Sequence, residues 1–292
     1  LGTVLTRVVG LGPVPGWLGL EPPPERDPVV RPLGFSWNQL SDAEFSAQMQ
    51  VLEQQLQSGY EVGKRPLGGG GNGSYLVELD TGPTVVWKPR ARQKKEVSRQ
   101  QVGRVDEGKR EAAAYQVDRF LGHLARVPCA VAGLKGREGT LCVYVTEGIM
   151  ARDLGDKQVA LDRLRPEDLR RLALFDHIIG NLDRHGGNWL LDCAGRPIPI
   201  DHGLSFPKHN GEQGMHHFDF AADLTLNPQE TDLLRGFLGQ RQAIEKTLAP
   251  LLEPEAIEAM FERVEVMLVG GRTDNGWRQD TSPRRLDLWG LS

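Results

Sequence analysis

The chain has 292 residues, 39% of them hydrophobic and 25% charged, and carries a net charge of −4. That is enough for one large domain or two packed lobes with substantial cores, and the weak negative charge gives no global electrostatic reason to expect nucleic acid as a partner. Three cysteines, Cys129, Cys142 and Cys193, are too few and too scattered for a disulfide scaffold or a structural zinc site. No apolar run approaches the ~18 residues of a membrane span. Residues 1–9 are too short and interrupted for a signal core. The expectation is a cytoplasmic protein without integral membrane association; secretion or translocation stays open if a segment precedes Leu1. Nothing in the chain speaks to its oligomeric state.

Residues 1–35 are rich in Pro and Gly and read as an extended arm. Ser41 followed three residues on by Glu44 is a capping-box start for a helix through Phe45, Met49, Leu52 and Leu56, ending near Gly59. A glycine loop at 68–73 leads into strands at Leu76-Val77 and Thr84-Val-Val-Trp-Lys88, with a hairpin turn at Asp80-Thr-Gly82. Segment 88–110 holds nine basic residues against three acidic ones and reads as a solvated face, although an acidic substrate or an anionic membrane could use it. Helical pattern runs from Lys109 to Leu121, and a short apolar strand from Leu141 to Val145 ends at Thr146-Glu-Gly148.

In the second half, Pro166 with Glu167 and Asp168 behind it opens a helix through Leu172, Phe175 and Ile179 that stops at Gly180. Asp183 therefore falls in the loop beyond. Strands at Leu190-Leu191 and Ile198-Pro-Ile200 flank a turn at 192–195, and Asp201 follows the second. Residues 228–268 are helical in pattern, with Ala256, Met260, Val264 and Met267 on one face, and a polar tail runs from Gly270.

The residues that bear chemistry form an ordered set. Asp183-Arg-His-Gly-Gly-Asn188, followed by Ile200-Asp201-His-Gly203, supplies a carboxylate to orient or deprotonate a hydroxyl and two oxygen ligands, Asn188 and Asp201, for Mg²⁺. Upstream, Gly71, Gly73 and Ser74 lie in a loop whose backbone can approach phosphates. Lys88 ends a strand, and Glu111 stands 23 residues later on a helix, placed to hold it. Each alone has a plain structural reading: a surface turn, a solvated strand end, a helix carboxylate, a capped loop. Their order makes the Asp183 loop functional. His177, His185 and His202 lie near two aspartates, which raises a metal hydrolase as a rival, but no His-Glu-x-x-His spacing occurs. His185 and His202 fit better as groups that orient Asp183 and the metal loop, and Asp176 as a structural hydrogen-bonding carboxylate.

Four blocks carry a family resemblance: Gly73-Ser-Tyr-Leu-Val77 with Val86-Trp-Lys-Pro89; Glu111-Ala-Ala-Ala114; Val145-Thr-Glu-Gly148; and residues 175–189 with 200–207. Over residues 65–210 the chain resembles the phosphatidylinositol 3-/4-kinase superfamily, above all type II phosphatidylinositol 4-kinases and their bacterial relatives. The Asp-Arg-His run with its following Asp-x-Gly is also similar to the Fam20-like secretory-pathway kinases. The resemblance implies an α+β bilobal kinase fold with an antiparallel-sheet N-lobe and a mostly helical C-lobe. It divides the chain into an arm (1–35), an N-lobe with hinge (36–148), a C-lobe (149–270) and a tail (271–292). It also implies ATP and Mg²⁺ or Mn²⁺ as cofactors. Lys88 and Glu111 would form the phosphate-binding pair, Val143, Val145, Thr146 and Glu147 the adenine-facing hinge, Asp183 the catalytic aspartate supported by His185, and Asn188 and Asp201 the metal ligands.

Two departures stand out. Type II lipid kinases carry a palmitoylated cysteine segment after the phosphate lysine, whereas residues 89–110 here contain no cysteine, and His202 replaces the asparagine common in the Asp-Asn-Gly motif. The expectation is a phosphotransferase acting on a hydroxyl of a protein Ser or Thr, with a phosphoinositide head group as the alternative. An inactive nucleotide-binding scaffold and an AMP transferase remain as rivals.

Overall fold

A computed structural model describes residues 40–68, 73–90, 106–135, 137–146, 148–154, 163–192, 194–210 and 224–273. The Pro/Gly-rich arm, most of the basic segment 88–110, the polar tail beyond Thr273, Gly71, Glu147 and Cys193 lie outside these residues.

The first helix, α1 (Asp42–Ser58), begins at the anticipated capping box. The Glu44 backbone N–H donates to the Ser41 hydroxyl at 3.3 Å, and the Ser41 backbone N–H donates to the Glu44 carboxylate at 2.8 Å. Phe45, Met49, Leu52 and Leu56 are its buried face, at the spacing read from the sequence.

Strands β1 (Glu61–Pro66), β2 (Tyr75–Leu79), β3 (Thr84–Pro89), β4 (Ala130–Leu134) and β5 (Arg137–Val143) form one antiparallel sheet in the order β1-β2-β3-β5-β4, and α2 (Glu107–Phe120) lies between β3 and β4 in sequence. The strand expected at 141–145 starts four residues earlier and stops at Val143. Pairing with β3 extends it backwards to Gly139 opposite Pro89, and the Tyr144 N–H then turns to the Thr84 carbonyl at 3.1 Å. β1 and β4 contain Gly63, Pro66 and Gly133 and show no strand alternation. They are recruited by the exposed edges of β2 and β5 rather than by their own propensity.

The remaining described elements are β6 (Ile149–Met150), a 3-10 turn (Ala151–Leu154), α3 (Pro166–Ile179), β7 (Trp189–Leu191), β8 (Pro197–Pro199), α4 (Pro228–Gly239), α5 (Arg241–Leu248) and α6 (Pro254–Gly270). α3 has Pro at its start, acidic residues in the first turn and a left-handed Gly180 as its stop, as its sequence predicts. β6, β7 and β8 form a small antiparallel sheet. α6 packs on α3 and α4 and buries Ala256, Met260, Val264 and Met267. The molecule is α+β, with a sheet lobe and a helical lobe around one continuous apolar cluster. Among the described residues no helix is long and apolar enough to cross a membrane.

Candidate active site

Strand register decides where Lys88 points. It pairs with Thr140, and Val86 with Cys142, so these four share one face of the sheet, opposite the face of Val85 and Trp87. The first turn of α2 lies against that face. A Cβ added at Gly108 would stand 2.1 Å from the Thr140 hydroxyl, so only glycine permits this approach. One turn on from Gly108, Glu111 therefore meets Lys88, and their side chains form an ion pair with Glu111 buried and Lys88 partly exposed.

The Lys88 ammonium also donates to the Asp201 carboxylate at 3.1 Å. Glu111 uses its second oxygen to accept the backbone N–H of His202 at 2.9 Å. The Lys88–Glu111 pair thus holds both Asp201 and the next residue. Removal from water works against the Lys88 cation, but Asp201 and Glu111 outweigh it and hold the ammonium well above the usual lysine range. Burial likewise opposes the Glu111 carboxylate. Lys88 and then the His202 contacts overcome this and hold the carboxyl far below the usual carboxylate range. The His202 ring is buried edge-on to Phe175, with centroids 5.9 Å apart. Gly203 completes the turn: a Cβ there would stand 2.9 Å from that of Glu107.

Asp183 sits in the loop between α3 and β7. Its backbone N–H donates to the Asn181 amide oxygen at 3.0 Å. The Asn188 amide nitrogen donates to the Asp183 carbonyl at 2.6 Å and to its carboxylate at 3.3 Å. Both bonds use the amide nitrogen, and the amide oxygen takes no part in them. Asn188 and Asp201 are joined through the backbone, because the Ile200 N–H donates to the Asn188 carbonyl at 2.9 Å. His185 braces the loop from within: its Nδ1 accepts the Gly187 N–H at 3.0 Å, while its Nε2 stands 3.9 Å from the Asp183 carboxylate, beyond hydrogen-bond length.

Sequence reading did not single out Arg184. It is wholly buried, pairs through two bonds with Asp176 on α3, and donates to the carbonyls of Asn188 and Ile200. Asp176 also takes the Asn181 amide at 2.9 Å, so it is the structural carboxylate expected of it. The available signal was an arginine inside an otherwise functional loop, five residues beyond the end of an apolar helix.

Of the other expected contributors, Val143 pairs with Val85 and so lies on the sheet face opposite Lys88. The base of the glycine loop is closed by the Leu67 N–H donating to the Ser74 carbonyl at 2.9 Å, and Gly73 adopts φ 62°. Val143 and Val145 are buried and Thr146 half-buried where β5 leaves the sheet. Among the described residues no group of three or more His, Cys, Asp or Glu side chains is placed to hold a metal ion, so a histidine-liganded centre has no described framework.

The fold is that of a bilobal kinase. The structure of a Golgi casein kinase with Mn/ADP bound superposes with a TM-score of 0.50 at 14% identity, over 77% of this chain and 75% of that one. The Helicobacter pylori proinflammatory kinase CtkA matches with a TM-score of 0.45 at 17% identity, over 71% of this chain and 91% of that one. Hydra Fam20 with sugar matches with a TM-score of 0.46 at 15% identity, over 79% and 90%. A family model described as phosphatidylinositol 3- and 4-kinase matches residues 163–229, the stretch that holds α3, the Asp183 loop and Asp201. Over residues 163–229 the chain is thus similar to the phosphatidylinositol 3- and 4-kinase family, and its fold is similar to that of the Golgi casein kinase. No curated protein sequence gives a significant match.

Proposed function

We propose that this chain is an ATP- and Mg²⁺-dependent phosphotransferase that moves the γ-phosphoryl group to a protein Ser or Thr hydroxyl. The observation that carries the reading is Lys88, on β3, bonded at once to Glu111 on α2 and to Asp201, 113 residues away. A structural ion pair needs one partner. A lysine held by a buried glutamate and facing a half-exposed aspartate is the arrangement that binds phosphate oxygens beside a divalent cation.

The residues fit the implied metal. Asp201 already holds one cation, the Lys88 ammonium, and Asn188 would add its amide oxygen, so the donor set would be all oxygen, as Mg²⁺ prefers. Bound there with nucleotide, Mg²⁺ would neutralise charge on the phosphates. Lys88 would bind phosphate oxygens, with Glu111 fixing its direction. Gly73 and Ser74, with Gly71, would cover the phosphates, and segment 143–147 would face the adenine. Asp183, partly open to solvent and oriented by Asn181 and Asn188, would align the acceptor hydroxyl and take its proton as the phosphoryl group leaves. His185 would keep the loop in shape. In this reading residues 36–148 are the nucleotide-facing lobe and 149–270 the acceptor-facing lobe.

A protein acceptor is preferred because residues 89–110 hold no cysteine for lipidation where the type II lipid kinases carry theirs. The test is [γ-³²P]ATP with protein acceptors in one arm and phosphatidylinositol liposomes in the other, using wild type and Asp183→Ala. Label on protein Ser or Thr in wild type alone is the expected result. Equal labelling by Asp183→Ala would overturn the mechanism, and label in lipid alone would replace the acceptor.

A further inference from the structure

Glu111 has a neighbour on α2 that also reaches the Asp201 turn. Arg110 is 1% exposed, and its guanidinium donates to the backbone carbonyls of both Ser205 and Phe206. Its second terminal nitrogen is 3.4 Å from Glu253, which caps α6 and lies 3.8 Å from Lys208. The segment it holds begins and ends in left-handed backbone at residues with side chains, Asp201 and Phe206, both with φ 59°. Such residues persist only where the surroundings fix them. Glu111 takes an N–H at the start of the turn, and Arg110 gives two N–H groups to its end. Asp201 is thereby set from both ends by consecutive residues of one helix. A lysine could not reproduce this, because its ammonium ends one bond short of the guanidinium nitrogen that meets both carbonyls and offers no second nitrogen to Glu253.

Burial draws the Arg110 pKa down to about 10, so the side chain is still charged at neutral pH. A buried cation whose main partners are carbonyls is a costly way to secure a loop. The arrangement makes physical sense where the loop must be held in one shape.

We infer that Arg110 is a positioning residue for the metal-binding carboxylate Asp201, coupling the setting of α2 to the affinity for the divalent cation. This rests on the kinase reading above. Arg110 touches neither nucleotide nor acceptor in that reading; it acts through the backbone of the turn. The role predicts a selective loss of metal affinity, whereas a purely structural role predicts parallel loss of everything the cleft binds.

The test is Mn²⁺ binding in the presence of a non-hydrolysable ATP analogue, followed by electron paramagnetic resonance of free Mn²⁺, beside binding of a fluorescent ATP analogue without metal. Arg110→Ala and Arg110→Lys should each weaken Mn²⁺ binding by about tenfold, the usual effect of losing a group that orients a ligand, while metal-free nucleotide binding changes little. If Arg110→Ala does not fold, Arg110→Lys carries the measurement. Glu253→Gln, at a half-exposed residue, should shift Mn²⁺ affinity in the same direction by less. Wild-type Mn²⁺ affinity in folded Arg110→Lys, or a fall in nucleotide binding that matches the fall in Mn²⁺ binding, overturns the inference and leaves the kinase reading intact. Absence of Mn²⁺–nucleotide binding by wild type would remove the kinase reading, and this inference with it.

Discussion

Arg184 and Asp176 form a two-bond ion pair at 2.9 and 3.0 Å in which neither side chain reaches solvent. The pair ties α3 to the loop of Asp183, because the third guanidinium nitrogen donates to the carbonyls of Asn188 and Ile200. One buried side chain therefore sets the backbone on both sides of the candidate metal site.

Removal of one partner leaves the other as an uncompensated buried charge. Arg184→Ala should lower unfolding free energy by about 3–5 kcal/mol, measured by urea denaturation. Arg184→Lys keeps the charge but gives up the fork, so it should fold better than the alanine variant while still losing phosphotransfer. Unchanged stability of Arg184→Ala would show that the pair does not fasten the loop.

Asp201 presents the opposite case. Its side chain is 54% exposed, so its bond to Lys88 adds little to the fold. Asp201→Asn should change stability by less than about 1 kcal/mol and should abolish phosphoryl transfer at every Mg²⁺ concentration. Thermal melts beside a γ-phosphate transfer assay separate the two effects. Near-normal transfer at high Mg²⁺ would remove Asp201 from the metal site.

The Glu111 carboxyl is held far below its usual range by Lys88 and His202 against the cost of burial. A group with a depressed folded-state pKa contributes stability that is fully present above its unfolded pKa, about 4.3 for Glu. That contribution is lost as pH falls towards the folded-state value. The stability difference between wild type and Glu111→Gln should therefore be constant from pH 7 to about pH 5 and narrow below about pH 4. Urea titrations at stepped pH measure it. A difference that stays flat down to pH 3 would mean that Glu111 is not the titrating group.

Gly203→Ala tests the contact between the Asp201 turn and α2. The added methyl would stand 2.9 Å from the Glu107 Cβ, which is anchored to the helix and cannot swing aside. The cost should be about 1–3 kcal/mol, with a lower transfer rate because α2 or the turn must move. A fully stable, fully active Gly203→Ala protein would show that the approach has slack.

The elements legible in the chain are those whose signals are local. The Ser41–Glu44 capping box, the apolar stripe of α1, and the Pro166 start and Gly180 stop of α3 formed where they were read, and the two strands flanking residues 192–195 formed within one residue of their expected places. Each is decided by residues within a turn or two of one another. β1 and β4 gave no such signal, since pairing with a neighbour formed them.

The same division runs through the candidate site. Residue types and order singled out Lys88, Glu111, Asp183, Asn188 and Asp201, because phosphoryl chemistry draws on few side chains. Only the tertiary structure decided that Lys88 spans Glu111 and Asp201, that the His185 ring stands 3.9 Å from the Asp183 carboxylate, beyond hydrogen-bond reach, and that Arg110 and Arg184 are buried beside the candidate site. An arginine reads as a surface residue until the fold supplies carbonyls and a carboxylate to satisfy it. Those partners lie 4 to 16 residues away for Arg184, and 95, 96 and 143 for Arg110. At the larger separations no local pattern connects them, because chain closure brings them together only when the whole core forms.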